Sequence, residues 1–402
     1  MSRNKKQIMP PPLTGITIVD LSRILAGPYC TMMLGDLGAE VLKVEPPQGD
    51  DARGWGPPFV SGESAYFLAV NRNKKSVRVN LKTDGGRDLL HRLLGIADVL
   101  VENFRPGTME RLGVGYEQLR ESYPKLVYCS ISGYGHTGPL SERPGYDAIM
   151  QGEAGWMHLT GEPDGPPFKL GASLADIFTG MMAAQGITSA LYERTHSGLG
   201  RKIDVALFDS VVASLCYQAQ GFLLTGDEPH RLGNRHPSLT PYETFETSDG
   251  YVTVGVGNDV LWQRFCKAVD RPDLDQPKFE TNALRVENHK ELKPLLDHLF
   301  NSAPTSVWLE KLASAGIPVG SVRSIAEVFS NPQIEPRRML LEMEHPAVGP
   351  MRVTGNPIKV HGCDERTPLP PPLLGQHTEE VLRDKLKLDV EQIAELRKSG
   401  AI

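Results

Sequence analysis

The usual carriers of disulfide pairing, membrane spanning, metal binding and serine-type catalysis are missing from this sequence. Its five cysteines (Cys30, Cys129, Cys216, Cys266 and Cys363) are odd in number, far apart and free of any CxxC pair. That excludes a disulfide framework and a thiolate zinc site, and it fits reduced thiols in the cytoplasm, the expected location. No apolar run approaches the roughly 20 residues that span a bilayer, so no membrane partner is expected. The eleven histidines show no metal-ligand spacing, so no metal is expected either. A GxSxG elbow, a GxxxxGK[ST] phosphate loop and an HExxH helix are all absent. Positive charge is also in short supply: 43 Lys and Arg stand against 49 Asp and Glu, a net charge of −6. Such a surface does not coat nucleic acid, and an anionic ligand has to be met by local basic clusters. The opening MSRNKKQIMPPPL is basic but has no apolar core of a secretion signal, which predicts a flexible tail.

What is present is ordinary globular material, with 402 residues, 40% hydrophobic and 23% charged, enough for two domains. Strand-like runs at 16–22, 39–45, 76–81, 97–104 and 125–132 alternate with helical patterns at 28–38, 86–97 and 116–124. A further strand at 202–208 leads into a long helix over 209–224. Strands spaced by helices of this length predict βαβ units and a parallel sheet. Residues 1–225 therefore read as a large α/β domain. Around residue 230 the pattern changes. Residues 241–257 form two alternating strands joined by Asp249-Gly250, a strong hairpin signal. Helices at 259–270, 287–300 and 305–316 follow, and 226–330 reads as a smaller α+β domain. A hairpin over 338–355, a proline-rich crossing and a helical C-terminal stretch make up 331–402.

Four short stretches invite chemical readings. GYGHTG (133–138) matches G-x-G-x-x-G, but two prolines follow where a phosphate-binding helix would have to open, which argues against a dinucleotide site. NRNKKS (71–76) gathers three cations before a strand, as a solvated loop also would. VENFRPGTMERLG (101–113) places Asn103, Phe104, Arg105 and Arg111 at a strand's C-terminal end. An aromatic, an amide and guanidinium groups there suit a base and phosphates, and equally a solvated loop. GASLADIFTG (171–180) sets Asp176 at the start of a helix. It can be the helix cap and also a carboxylate nucleophile held at the positive end of the dipole, since the two roles are compatible. The dipole would lower its pKa and keep it ionised at pH 7.

The ordered series LSRILAGPYCTMMLGDLGAEVLKVEPPQGDDAR, VNRNKKSVRVNLK, VENFRPG, SISGYGHTGPLSERPGYDA and GASLADIFTG resembles the class III CoA-transferases. The likeness runs from about residue 12 to PPPLLGQHTEEVL near the end, and GWGPPF and EMEHPAVG are most similar to the succinyl-CoA:glutarate branch. The resemblance implies a Rossmann-like large domain built from both chain ends, an inserted small α+β domain and an interlocked homodimer. It implies Asp176 as the catalytic residue, with an acyl-CoA and small carboxylic acids as partners and no tightly bound cofactor beyond coenzyme A as substrate. Carried over position by position, Leu25, Ala26, Val79, Lys82, Asn103, Phe104, Arg105, Arg111, Ser132, Gly133 and Tyr134 would contact CoA. Lys82 and Arg111 would take phosphates and Phe104 the adenine, while Pro46 stands where some family members carry an arginine. Arg235 and His236 in one loop, and Arg23 in another, are the cations available for the distal carboxylate of a dicarboxylate acceptor. Racemase relatives pair the aspartate with a histidine; this chain has Tyr146 there, a poor base at an ordinary pKa of about 10. A CoA-transferase is thus the expectation, with an acyl-CoA racemase and a non-catalytic CoA-binding protein as alternatives.

Overall fold

The computed structural model describes residues 9–363 and 367–402, so residues 1–8 of the expected tail lie outside it. The chain divides into two compact units. One comprises the residues up to Gly155, Leu170–Tyr217 and Glu335–Ile402; the other comprises Trp156–Lys169 and Gln218–Ile334.

The larger unit is built on a six-stranded sheet of β1 (Thr17–Asp20), β2 (Glu40–Glu45), β3 (Lys74–Arg78), β4 (Val99–Glu102), β5 (Val127–Ser132) and β6 (Lys202–Ala206). Every pairing is parallel, and the spatial order is β3-β2-β1-β4-β5-β6. This is the doubly wound order, in which the chain reverses direction across the sheet between β1 and β4. β1 is central: Val19 pairs with Leu42 on one side and Leu100 on the other. All four β4 residues are buried, and all six of β5, as expected of strands covered on both faces.

Helices fill the crossovers for local reasons. The one over Asp84–Leu94 is opened by Thr83, whose hydroxyl accepts from the Gly86 N–H, and it buries Leu89, Leu90, Leu93 and Leu94 on one face. Helix α1 (Ala26–Asp36) links β1 to β2. Between β5 and β6 come α2 (Asp147–Glu153) and the long α3 (Leu174–Ser197). Val381, Leu382, Leu388 and Ile393 return to the same core as Val19, Leu42, Val77 and Leu100.

The smaller unit has its own core of Phe245, Trp262, Phe265, Phe300 and Trp308. The predicted hairpin is there as β7 (Tyr242–Glu246) and β8 (Tyr251–Gly255). A third strand, β9 (Val319–Ser321), pairs antiparallel with β8 and is not evident in the sequence pattern. The helix expected over 209–224 is two helices, Leu207–Ser214 and Cys216–Thr225, because Cys216 takes φ 46 and breaks the run. The helix expected over 116–124 shortens to Tyr116–Leu119.

Candidate active site

In a βαβ unit each helix starts above the C-terminal end of the strand before it. α1, α3 and the loops after β1, β4 and β5 therefore gather at one edge of the sheet, where the order reverses. The loops after β1 and β4 clasp each other. The Arg23 N–H donates to Asn103 Oδ1, and Asn103 Nδ2 donates to the Arg23 carbonyl, both at 2.8 Å. The Arg23 guanidinium lies 5.1 Å from the Phe104 ring centre and 3.7 Å from the Asp51 carboxylate.

Beneath this edge lies a buried ionic network. Lys43 pairs with Asp50 at 2.8 Å and Lys74 with Asp20 at 3.1 Å, all four side chains fully buried. Lys43 also donates to the Ser22 carbonyl at 2.9 Å, and the Thr31 hydroxyl donates to Asp20 at 2.6 Å. Burial pushes the Asp50 carboxyl up, but Lys43 and the N–H groups of Ala52 and Ile24 outweigh it and hold the group below its usual range. Lys74 is lowered to about 8 by burial, against the opposing pull of Asp20.

Asp176 is the third residue of α3. α1 and α3 lie close because Gly180 has no side chain; a Cβ there would come within 2.5 Å of the Ala26 carbonyl oxygen. One turn from Gly180, Asp176 thus sits beside the start of α1. The helix-cap reading of Asp176 is corrected. The N-cap is Ser173, which makes no side-chain cap, and the missing acceptor comes from Asp147. Asp147 Oδ1 accepts from the N–H of Ala175 at 2.9 Å and of Asp176 at 3.4 Å. Gln151 donates to Asp147 Oδ2 at 2.7 Å and accepts from the Leu170 N–H at 2.8 Å, fixing that carboxylate. Among the described residues no donor is hydrogen-bonded to the Asp176 carboxylate.

The expected lowering of the Asp176 pKa is corrected too. Burial and then the Asp147 charge raise it to about 7. The helix dipole contributes about 0.3–1 kcal/mol, too little to offset desolvation next to a second carboxylate. Tyr66, whose hydroxyl adjoins Ser173, is pushed up to about 12 by burial and then by Asp176, Asp147 and Asp50. It remains a proton donor across the physiological range. Neither Asp147 nor Tyr66 was singled out in the sequence as part of this constellation. Asp147 lies 29 residues from Asp176, and Tyr66 is one aromatic in a short helix. Tyr146, at the position of the racemase histidine, is 58% exposed.

The remaining predicted residues fall into three groups. Leu25, Ala26, Asn103, Phe104 and Arg105 are at the reversal, with Arg105 exposed. Arg111 is exposed and donates to the Thr108 hydroxyl at 2.9 Å. Ser132, Gly133 and Tyr134 follow β5: Ser132 Oγ accepts from the Gly135 N–H at 3.0 Å, and Tyr134 donates to Glu153 at 2.5 Å. Val79 is 1% exposed and belongs to the core, leaving the exposed Lys82 as the group at that turn open to a ligand. Arg235 and His236 belong to the smaller unit. Among the described residues Arg235 Nε has no hydrogen-bond partner, and His236 Nδ1 accepts from the Ser238 N–H at 3.0 Å. Sequence reasoning also missed Glu102, at the end of β4, which burial raises to about 7. Its Oε2 accepts from the Phe104 N–H at 2.9 Å.

Residues 13–378 match the family model described as CoA-transferase family III. A human protein named succinyl-CoA:glutarate CoA-transferase is 44% identical over 393 residues, covering 97% of this chain and 90% of its own length. A protein of Agrobacterium fabrum named succinate--glutarate CoA-transferase is 41% identical, covering 93% and 96%. Among solved structures, a CAIB/BAIF family protein from Brucella suis has a TM-score of 0.83 at 41% identity, covering 94% of this chain and 100% of that one.

Proposed function

Since this chain belongs to CoA-transferase family III, we propose that it moves CoA from succinyl-CoA to a short dicarboxylic acid, glutarate first, with Asp176 as the nucleophile. Two named relatives above 40% identity carry succinate or succinyl-CoA and glutarate in their names, which supports the choice of substrates.

The observation that carries the catalytic assignment is the Asp176 carboxylate itself. It is half-buried at the sheet's reversal, has no hydrogen-bond donor among the described residues, and its helix is capped by another residue's carboxylate. A carboxylate freed from capping and poorly solvated is a stronger nucleophile once ionised. An Asp176 oxygen attacks the thioester carbonyl, the C–S bond breaks, and an aspartyl–succinyl anhydride forms with CoA thiolate. The thiolate attacks the aspartyl carbonyl, which releases succinate and leaves an aspartyl-CoA thioester. The acceptor carboxylate displaces CoA from that thioester to make a new anhydride. The thiolate then attacks the acceptor's acyl carbon, forming the product thioester and restoring Asp176. Each step exchanges one acyl bond for another, so no oxidant, reductant or net proton is required.

The other residues hold the substrate. Lys82, Arg105 and Arg111 are exposed cations for the CoA phosphates. The loop Asn103–Phe104 and the segment Ser132–Tyr134 would line the CoA, and Tyr66, whose hydroxyl adjoins Ser173 near Asp176, would donate to an oxyanion there. Arg235, His236 and Arg23 are the cations proposed for the acceptor's distal carboxylate. A homodimer of interlocked subunits is part of the same proposal.

The test is to mix the protein with succinyl-CoA and a panel of acids and follow new CoA esters by mass spectrometry. Glutaryl-CoA should form, and Asp176→Ala should abolish every exchange. Exchange that survives Asp176→Ala would overturn the mechanism. Deuterium entering the α-position of an acyl-CoA in D₂O, without exchange, would favour the racemase instead.

A further inference from the structure

Ile24 adopts φ 70, in the left-handed region that β-branched residues rarely enter. Its surroundings enforce this from three sides. The Ile24 N–H donates to Asp50 Oδ1 at 3.1 Å. The Ser22 carbonyl before it is fixed by Lys43 at 2.9 Å, and the main chain of Arg23 is held in both directions by Asn103. A glycine or asparagine would take the same backbone conformation at less cost, so the turn itself has no need of isoleucine. Strain of this kind, fixed by a rigid surround, points to a task for the side chain.

That side chain packs on the buried Leu25, Met32 and Val70 together with Tyr29, Tyr66 and Ile177, which are themselves only partly buried. Ile177 is the residue after Asp176, and Tyr66 feels the Asp176 charge. The cluster is therefore an apolar wall at the first turn of α3, the turn that carries Asp176, and it is left partly open. An acyl group joined to Asp176 through the anhydride would lay its first methylenes along such a wall.

We propose that Ile24 is a specificity-determining residue, whose side chain bounds the methylene segment of the acyl group on Asp176 and so selects short dicarboxylates over longer ones. This rests on the reading of Asp176 as the nucleophile. One methylene against a pocket wall discriminates by about 10- to 200-fold.

The experiment measures kcat/KM for linear dicarboxylates of increasing length with succinyl-CoA as donor, for the wild-type protein, Ile24→Gly and Ile24→Val. Ile24→Gly removes both the wall and the strain. It should raise the ratio for adipate or pimelate over glutarate at least about tenfold, with no loss in Tm. Ile24→Val should shift the ratio the same way by a smaller factor. A length preference unchanged in Ile24→Gly would overturn the proposal, as would a uniform loss across all acids. If Ile24→Gly does not fold, an unchanged preference in Ile24→Val has the same force. The wild-type exchange in the same assay separates the two claims: its absence would overturn the CoA-transferase reading, whereas the chain-length ratio bears on Ile24 alone.

Discussion

The Asp176 backbone N–H points at Oδ1 of Asp147, 3.4 Å away, so the carboxylate that closes the helix also faces the carboxylate that the helix presents. One residue thereby does two things to its neighbour. It removes the capping duty from Asp176, and its charge adds to burial in holding that group at about 7.

The first prediction concerns pH. Exchange requires ionised Asp176, so kcat/KM should rise with pH through an acid limb near 7. Asp147→Asn keeps an oxygen for the two N–H groups but deletes the charge. The limb should then move to lower pH by roughly one unit. The pH profile of kcat/KM for the two proteins checks this, and a limb moving upward would contradict the assigned cause.

Stability carries the same signature with a defined sign. The folded pKa of Asp176 is raised above its value of 3.8 in the open chain. Its ionisation therefore penalises the fold, beginning above pH 4 and reaching full effect above about 7. Asp176→Asn should raise Tm by roughly a few degrees at pH 8 and leave it nearly unchanged at pH 4. Thermal melts at the two pH values measure the difference.

Lys43 has a structural weight that its chemistry does not reveal. Lys43→Met would leave Asp50 charged, buried and without its partner, and would free the Ser22 carbonyl. Removing one side of a buried pair costs about 3–5 kcal/mol. A lower Tm is expected, together with reduced exchange, because the turn that carries Ile24 loses its anchor.

Arg235 offers a sharper functional test. Its buried Nε lacks a partner among the described residues. Arg235→Ala should raise KM for dicarboxylates about tenfold or more while sparing monocarboxylates, as expected when a charge-assisted hydrogen bond is lost. Equal effects on both acid classes would remove Arg235 from acceptor recognition.

Much of the large unit is legible in the sequence because its strands are short, apolar and regularly spaced by helices, and periodicity is a local property. The position of Asp176 is legible for the same reason, from glycines and a helical run around it. Its environment is not. The Asp147 cap depends on a contact across 29 residues, and the raised pKa depends on burial that only tertiary packing creates. Strand Val319–Ser321 has too few residues to show alternation and exists because β8 offers it an edge. The break at Cys216 leaves no mark on the hydrophobic pattern, and Ile24 gives no hint of its φ.

The return of the later chain to the first core has a consequence for synthesis. The Asn80 N–H donates to the Ala401 carbonyl, the His377 N–H to the Ser76 carbonyl, and Val381 and Leu382 are fully buried against the early strands. Until residues 369–401 leave the ribosome, β3 and the turn after it lack these partners, even with all six strands of the sheet made. The smaller unit has a core of its own, drawn from residues 245–317. It is free to consolidate during translation, while the β3 side of the large sheet waits for partners about 300 residues further along the chain.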